Sequence, residues 1–184
     1  MAAHYMLVDG YNVIHANADL AKIASESLDA ARKKLCDALC EFRALSRYRI
    51  IVVFDAHLVT GGEGSVEKYR NIKVVFTKEA ETADHYIERA AYKLARRKPG
   101  NPNAHDRITV ATSDVLEQLI ILGGGAGRVS SEDLWAEIES TRQEMRTRYN
   151  QTRPIKKNPL ESLLDPETAK KLDAMRYGDG GNKK

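Results

Sequence analysis

Arg49-Ile-Ile-Val-Val-Phe-Asp55 decides how this chain folds. Five apolar residues in succession leave no polar face, a pattern that suits a strand covered on both sides. The run stops at an aspartate. Three other segments share this form: Tyr5-Met-Leu-Val8 runs into Asp9, Ile72-Lys-Val-Val-Phe76 leads on to Thr77, and Arg107-Ile-Thr-Val-Ala-Thr112 precedes Ser113-Asp114. Helical patterns lie between them. Leu28, Ala31, Leu35, Leu39 and Phe42 recur at helical spacing over Leu28–Leu45, with Ser25 or Ser27 as N-cap. A second helix is expected from about Thr82 to Arg97, ended by Lys98-Pro-Gly-Asn-Pro-Asn103. Ser113-Asp114 opens a short helix stopped by Gly123-Gly-Gly125, and Gly127-Arg-Val129 reads as a fifth strand. Ser130 or Ser131 caps a last helix to about Asn150, with Leu134, Ile138, Met145 and Tyr149 on one stripe.

Strands alternating with helices imply right-handed βαβ units. The expected fold is therefore α/β, a parallel sheet between helical layers. Residues 1–150 are expected to form this domain. Residues 151–184 read as a basic linker with Pro154 and Pro159, a short helix opened by Asp165-Pro166-Glu167, and a flexible tail.

Composition narrows the function. The first nine residues lack the basic start of a secretory signal, and no apolar stretch approaches the roughly 20 residues of a membrane span, so a soluble cytoplasmic protein is expected. Cys36 and Cys40 are the only cysteines and lack a second pair to complete a zinc site; both are expected in the core. Residues 1–150 carry 21 charges of each sign, so the net +3 comes from the last 34 residues. There is no GxxxxGK[ST], and no GxGxxG follows the first strand, so no nucleotide cofactor is expected.

What remains is acid at the sheet's edge. Ligands of open parallel sheets bind beyond the carboxyl ends of the strands. Asp9 and Asp55 end strands there, while Asp84 and Asp114 begin the helices that follow. Any one of them is as well explained by capping a loop or facing a helix dipole. Together they are harder to explain so: two carboxylates ~5 Å apart at an effective dielectric of ~20 repel by roughly 3 kcal/mol. A hard divalent cation, Mg²⁺ or Mn²⁺, relieves that repulsion and suits phosphodiester hydrolysis by activated water. An aspartyl-phosphate phosphatase would carry an acid where Tyr11 stands. A small-molecule phosphatase of another kind would need a deep, enclosed pocket.

Leu7-Val-Asp9-Gly-Tyr-Asn12, Val53-Phe-Asp55-Ala56, Glu81-Thr-Ala-Asp84 with Tyr86-Ile-Glu88, and Val110-Ala-Thr-Ser-Asp114 with Glu117-Gln118 together resemble the YacP-like branch of the NYN domains, which are PIN-like nucleases. The likeness spans residues 4 to 150. It implies a three-layer PIN-like fold and a metal-dependent endoribonuclease that leaves 5′-phosphate and 3′-hydroxyl ends on single-stranded RNA, with mRNA at the ribosome as the expected setting. By the same resemblance Asp9, Asp84 and Asp114 are metal ligands and Asp55 a further catalytic acid. Asn12 would orient Asp9 or touch phosphate, and Thr112 and Ser113 would hold a phosphate or fix Asp114. Arg89 and Lys93, on the helix that carries Asp84, are expected to contact RNA, as are Arg142, Arg146, Arg148, Arg153, Lys156 and Lys157. Trp135 is expected in the core. A different class of function, an RNA- or ribosome-binding factor with weak or conditional catalysis, fits the same residues.

Overall fold

The computed structural model describes residues 3–55, 64–95, 106–113, 126–152, 167–168 and 171, with side chains described through 149 in the last helix. The chain divides into two compact units, Met1–Gln143 and Glu144–Lys184. In the second, Glu167, Thr168 and Lys171 are helical, within the stretch expected to be a short helix.

Six strands form one sheet: β1 (His4–Asp9), β2 (Tyr48–Phe54), β3 (Ser65–Tyr69), β4 (Ile72–Phe76), β5 (Arg107–Ala111) and β6 (Gly127–Val129). Their order is β3-β4-β2-β1-β5-β6. Every pairing is parallel except that of β3 with β4. The helices are α1 (Gly10–His15), α2 (Ala18–Glu26), α3 (Leu28–Leu45), α4 (Ala83–Ala95) and α5 (Ser131–Thr152).

The period-2 alternation of side chains sends Met6, Val8, Ile50, Val52, Phe54, Ile72 and Val74 to one face. There they pack with Leu35, Leu39 and Phe42 of α3 and with Leu134 and Ile138 of α5. Leu7, Val53, Val75, Ile108 and Val110 face the other way, onto Ala83 and Ile87 of α4. The result is the expected α/β sandwich of three layers. Cys36 and Cys40 lie in the first core, and burial pushes the Cys36 thiol up to about 12, which leaves it unreactive.

Several details depart from the sequence reading. The sheet is mixed, not wholly parallel, because β3 returns antiparallel to β4 through Arg70-Asn71. Arg70 adopts a left-handed φ of 49°, and its guanidinium pairs with Asp37 at 3.1 Å and lies 5.6 Å over the Tyr69 ring. Asn71 donates to the Cys40 carbonyl at 3.0 Å, which ties this turn to α3. Helices α1 and α2 had no place in the sequence reading. On α5 the apolar stripe is buried only at Leu134 and Ile138; Met145 and Tyr149 are exposed. The helix expected after Ser113 lies outside the described residues.

Candidate active site

Order in the sheet reverses between β1 and β5: the chain moves outward from β1 through β2 and β4, then crosses back to β5. A crevice at the carboxyl ends of the strands belongs at such a reversal. Asp9 ends β1 on one side of it, and Thr112 and Ser113 follow β5 on the other.

Asp9 is buried, with 6% of its surface exposed. It serves as N-cap of α1, Oδ1 accepting the Asn12 backbone N–H at 3.0 Å, while Oδ2 accepts from Asn12 Nδ2 at 3.4 Å. Asn12 Nδ2 also lies 3.4 Å from the hydroxyl of Thr112, which is fully buried. One amide thus spans the crevice. Burial raises the Asp9 pKa above the ordinary carboxylate value, and the charge of Asp84 raises it further against the opposing pull of the Asn12 bonds. The carboxylate is therefore desolvated beside a like charge.

A cleft of about 460 Å³ lies over Asp9, lined also by Tyr11, Asn12, His15, Asp55 and the Thr82–Asp84 segment. Asp84 is placed by the start of α4, where Thr82 Oγ1 accepts the His85 backbone N–H at 3.3 Å. Asp55 is placed by the end of β2. Three of the four expected acids therefore face one cavity; Asp114 lies outside the described residues. Among the described residues, no three His, Cys, Asp or Glu side chains close to metal-binding distance. Among the described residues the donors that line the cleft are three carboxylates, an amide, hydroxyls and the His15 imidazole, a set dominated by the hard oxygen groups that suit Mg²⁺ or Mn²⁺. The Asp9 pKa is raised chiefly by its burial, with a smaller contribution from the Asp84 charge, and a cation beside the two would offset both. Asp9, Asp55 and Asp84 are the described residues that could hold such an ion.

The remaining expected residues have other company. Ser113 Oγ accepts the Ser131 backbone N–H at 3.3 Å and donates to Glu132 at 3.1 Å, so it is engaged with the start of α5. Arg89 forms an ion pair with Glu81 at 2.5 Å and lies 5.3 Å over the Tyr86 ring. Lys93 is exposed in the last turn of α4. Arg142 pairs with Glu41 and with Glu139, each at 2.8 Å, so two carboxylates already answer its charge. Trp135 packs beside the first core and donates its indole N–H to the Val13 carbonyl at 3.0 Å, as its reading as a core residue required.

As residues of the cleft, Tyr11 and His15 escaped the sequence reading, as did Leu28 and Thr82 on its wall. Tyr11 packs edge-on against Phe54 at 5.3 Å, and its hydroxyl accepts from Arg32 at 3.4 Å; burial raises its pKa. His15 lies one helical turn further along α1, on the cleft wall. The i,i+4 spacing of Tyr11 and His15 directly after Asp9 is the signal that would have found them, had α1 been recognised.

Among the described residues no helix is long and apolar enough to cross a membrane. The chain is 38% identical to the uncharacterized protein YacP of Bacillus subtilis (strain 168) over 174 residues, 95% of this chain and 97% of that one. The crystal structure of Rae1 (YacP) from Bacillus subtilis is similar at a TM-score of 0.67 and 37% identity, covering 97% of each chain. The W164L mutant of the same protein matches at 0.66 and 34%, covering 94% of this chain and 99% of that one. Residues 6–177 match the YacP-like NYN domain, a span that includes the stretch after Gln151, which the sequence motifs had not reached. This chain, with its aspartates gathered at the switch point of a mostly parallel sheet, belongs to the YacP-like NYN domain family.

Proposed function

We propose that the protein is a divalent-metal-dependent endoribonuclease that cleaves single-stranded RNA internally, with mRNA at the ribosome as its substrate. Family membership is consistent with a nuclease acting on RNA. The observation that carries the metal-dependent reaction is the buried Asp9 carboxylate, desolvated and raised in pKa beside Asp84, in a cleft that Asp55 also lines.

A divalent cation bound there would lower the pKa of an attacking water and neutralise charge on the phosphoryl group. Asp9, Asp84 and, outside the described residues, Asp114 are the proposed ligands, with Asp55 as a further acid. Asn12 holds Asp9 in one orientation, a preorganisation that removes rotamer freedom before substrate arrives. The cleft is open rather than an enclosed small-molecule pocket, so a chain can lie across it. Cutting within a strand needs that access.

The test is cleavage of a labelled single-stranded RNA by purified protein with Mn²⁺, then with translating ribosomes. Internal cuts with 5′-phosphate ends, lost with EDTA and in Asp9→Asn, are expected. Cleavage only with ribosomes would assign substrate positioning to the ribosome. No cleavage in either setting, or full activity in EDTA, would overturn the reading.

A further inference from the structure

A second groove, of about 500 Å³, opens at the amino ends of the strands, the opposite end of the sheet from the carboxylate cleft. Arg43, Arg49, Lys68 and Lys73 line it together with Tyr5 and Leu94. Among the described residues one carboxylate shares this wall, Glu67, and it accepts a hydrogen bond from Ser65 Oγ at 3.1 Å. We propose that this groove holds the phosphate backbone of the RNA strand several nucleotides away from the point of cleavage. This rests on the reading of the protein as a ribonuclease.

Four observations point there. First, among the described residues none of these four cations forms an ion pair, whereas Arg32, Arg70, Arg89 and Arg142 all do. Four cations thus share one wall with no ion-pair partner among the described residues. Second, Lys68 and Lys73 stand directly opposite each other across β3 and β4. Like charges in that register destabilise a sheet, and an anion between them reverses the sign. Third, the described residues leave the sheet face open here: α4 packs over β1, β2 and β5, and Val66 of β3 is 65% exposed. Fourth, Arg49 lies 5.7 Å over the Tyr5 ring and donates to its hydroxyl at 3.3 Å. That contact orients the guanidinium and covers the ring, so the groove offers cations rather than a platform for bases. Contacts of that kind position a backbone without reading sequence.

Length follows from geometry. Arg49 and Asp55 mark the two ends of β2, six residues apart, which at about 3.3 Å per residue is roughly 20 Å. A fragment of a few nucleotides bound in the cleft would not reach the groove. A long strand would touch both, so the contribution should appear only with length.

The experiment compares Lys68→Gln/Lys73→Gln/Arg49→Gln with the parent, both in an Asp9→Asn background, binding labelled single-stranded RNA of two lengths across a salt series. For the long RNA the triple variant should bind at least roughly tenfold more weakly, with the salt slope reduced by about 2, since each lost phosphate contact removes about 0.7. The short RNA should bind both proteins alike. A Lys68→Arg/Lys73→Arg variant keeps the charge and should keep the affinity, which separates lost cations from a disturbed sheet. Equal long-RNA affinity and slope in a folded triple variant would overturn the groove while leaving Asp9-dependent cleavage intact. Displacement of bound long RNA from the parent by polyglutamate as readily as by unlabelled RNA would also overturn it, in favour of an acidic protein partner. Absence of any RNA cleavage by the unmodified protein would instead remove the nuclease reading on which it rests.

Discussion

Asn12 holds Asp9 twice, by its backbone N–H at 3.0 Å and its side-chain amide at 3.4 Å. The first bond is the N-cap of α1, so the residue proposed to hold the metal also starts the helix that orients it.

Asp9→Asn should therefore abolish cleavage and leave the fold intact, because asparagine caps a helix as well as aspartate does. Burial raises the folded-state pKa of Asp9. Its contribution to stability is then fully present below the ordinary aspartate range, about 4, and is lost as pH rises through the raised value. Without divalent cations near neutral pH, the variant should melt a few degrees above the parent, and the gap should close in acid. Added Mn²⁺ should raise the melting temperature of the parent alone. A variant less stable than the parent at neutral pH would contradict the account of a desolvated charge.

Thr112 receives the other reach of the Asn12 amide, at zero exposure. Thr112→Val should cost about 1–2 kcal/mol by removing that acceptor, and should lower kcat by up to roughly 10²-fold through a loosened Asp9. KM should change little. Thr112→Ser keeps the hydroxyl and should recover most of the rate; failure of serine to do so would assign the residue to packing alone.

Gly10 lies where α1 leaves β1, and a Cβ there would stand 2.2 Å from Cε1 of Phe54. Phe54 is fully buried and stacked on Phe76 with centroids 5.6 Å apart, so it has nowhere to move. Gly10→Ala should destabilise by about 1–3 kcal/mol or more. Thermal melting would show it, and a loss below about 0.5 kcal/mol would mean that α1 can pivot away from the sheet.

Arg89 has two claims on its charge: Glu81, 2.5 Å away, and the RNA expected of it. Arg89 is half exposed but Glu81 is only 16% exposed, so Arg89→Gln should cost about 1–2 kcal/mol of stability by leaving that carboxylate uncompensated. A phosphate contact would show as a salt slope for RNA binding reduced by about 0.7. An unchanged slope would assign Arg89 wholly to the ion pair.

Strands with continuous apolar runs were legible to within a residue, because burial on both faces leaves no ambiguity in Ile50–Phe54 or Ile72–Phe76. Helix α3 was equally plain, its stripe and its Ser27 cap agreeing. Strand β3 was not. Ser-Val-Glu-Lys-Tyr carries one aliphatic residue, which points outward, and the turn to β4 uses Arg70 in a left-handed conformation where Asn-Gly or Gly would announce a hairpin. Helix α1 hid because six residues are too few to show a period, and with it went Tyr11 and His15 of the cleft. Asp9, Asp55 and Asp84 could be brought to one cleft from sequence because strand ends are easy to place. The contact between Asn12 and Thr112, a hundred residues apart, was not legible although both residues were named, because which side chains meet across a cleft depends on tertiary packing.

Strand β3 closes the sheet order at one end, so its outer N–H and C=O groups have no strand partner among the described residues. Such a margin is a template on which a neighbouring molecule can extend the sheet. At the other end β6 is only three residues long and offers little to build on. What protects β3 is charge: Glu67 and Lys68 are exposed along it beside Val66. Replacing Lys68 with an apolar residue would strip that protection and invite chain-to-chain stacking. The lysine proposed to meet phosphate would then also guard the open margin of the sheet.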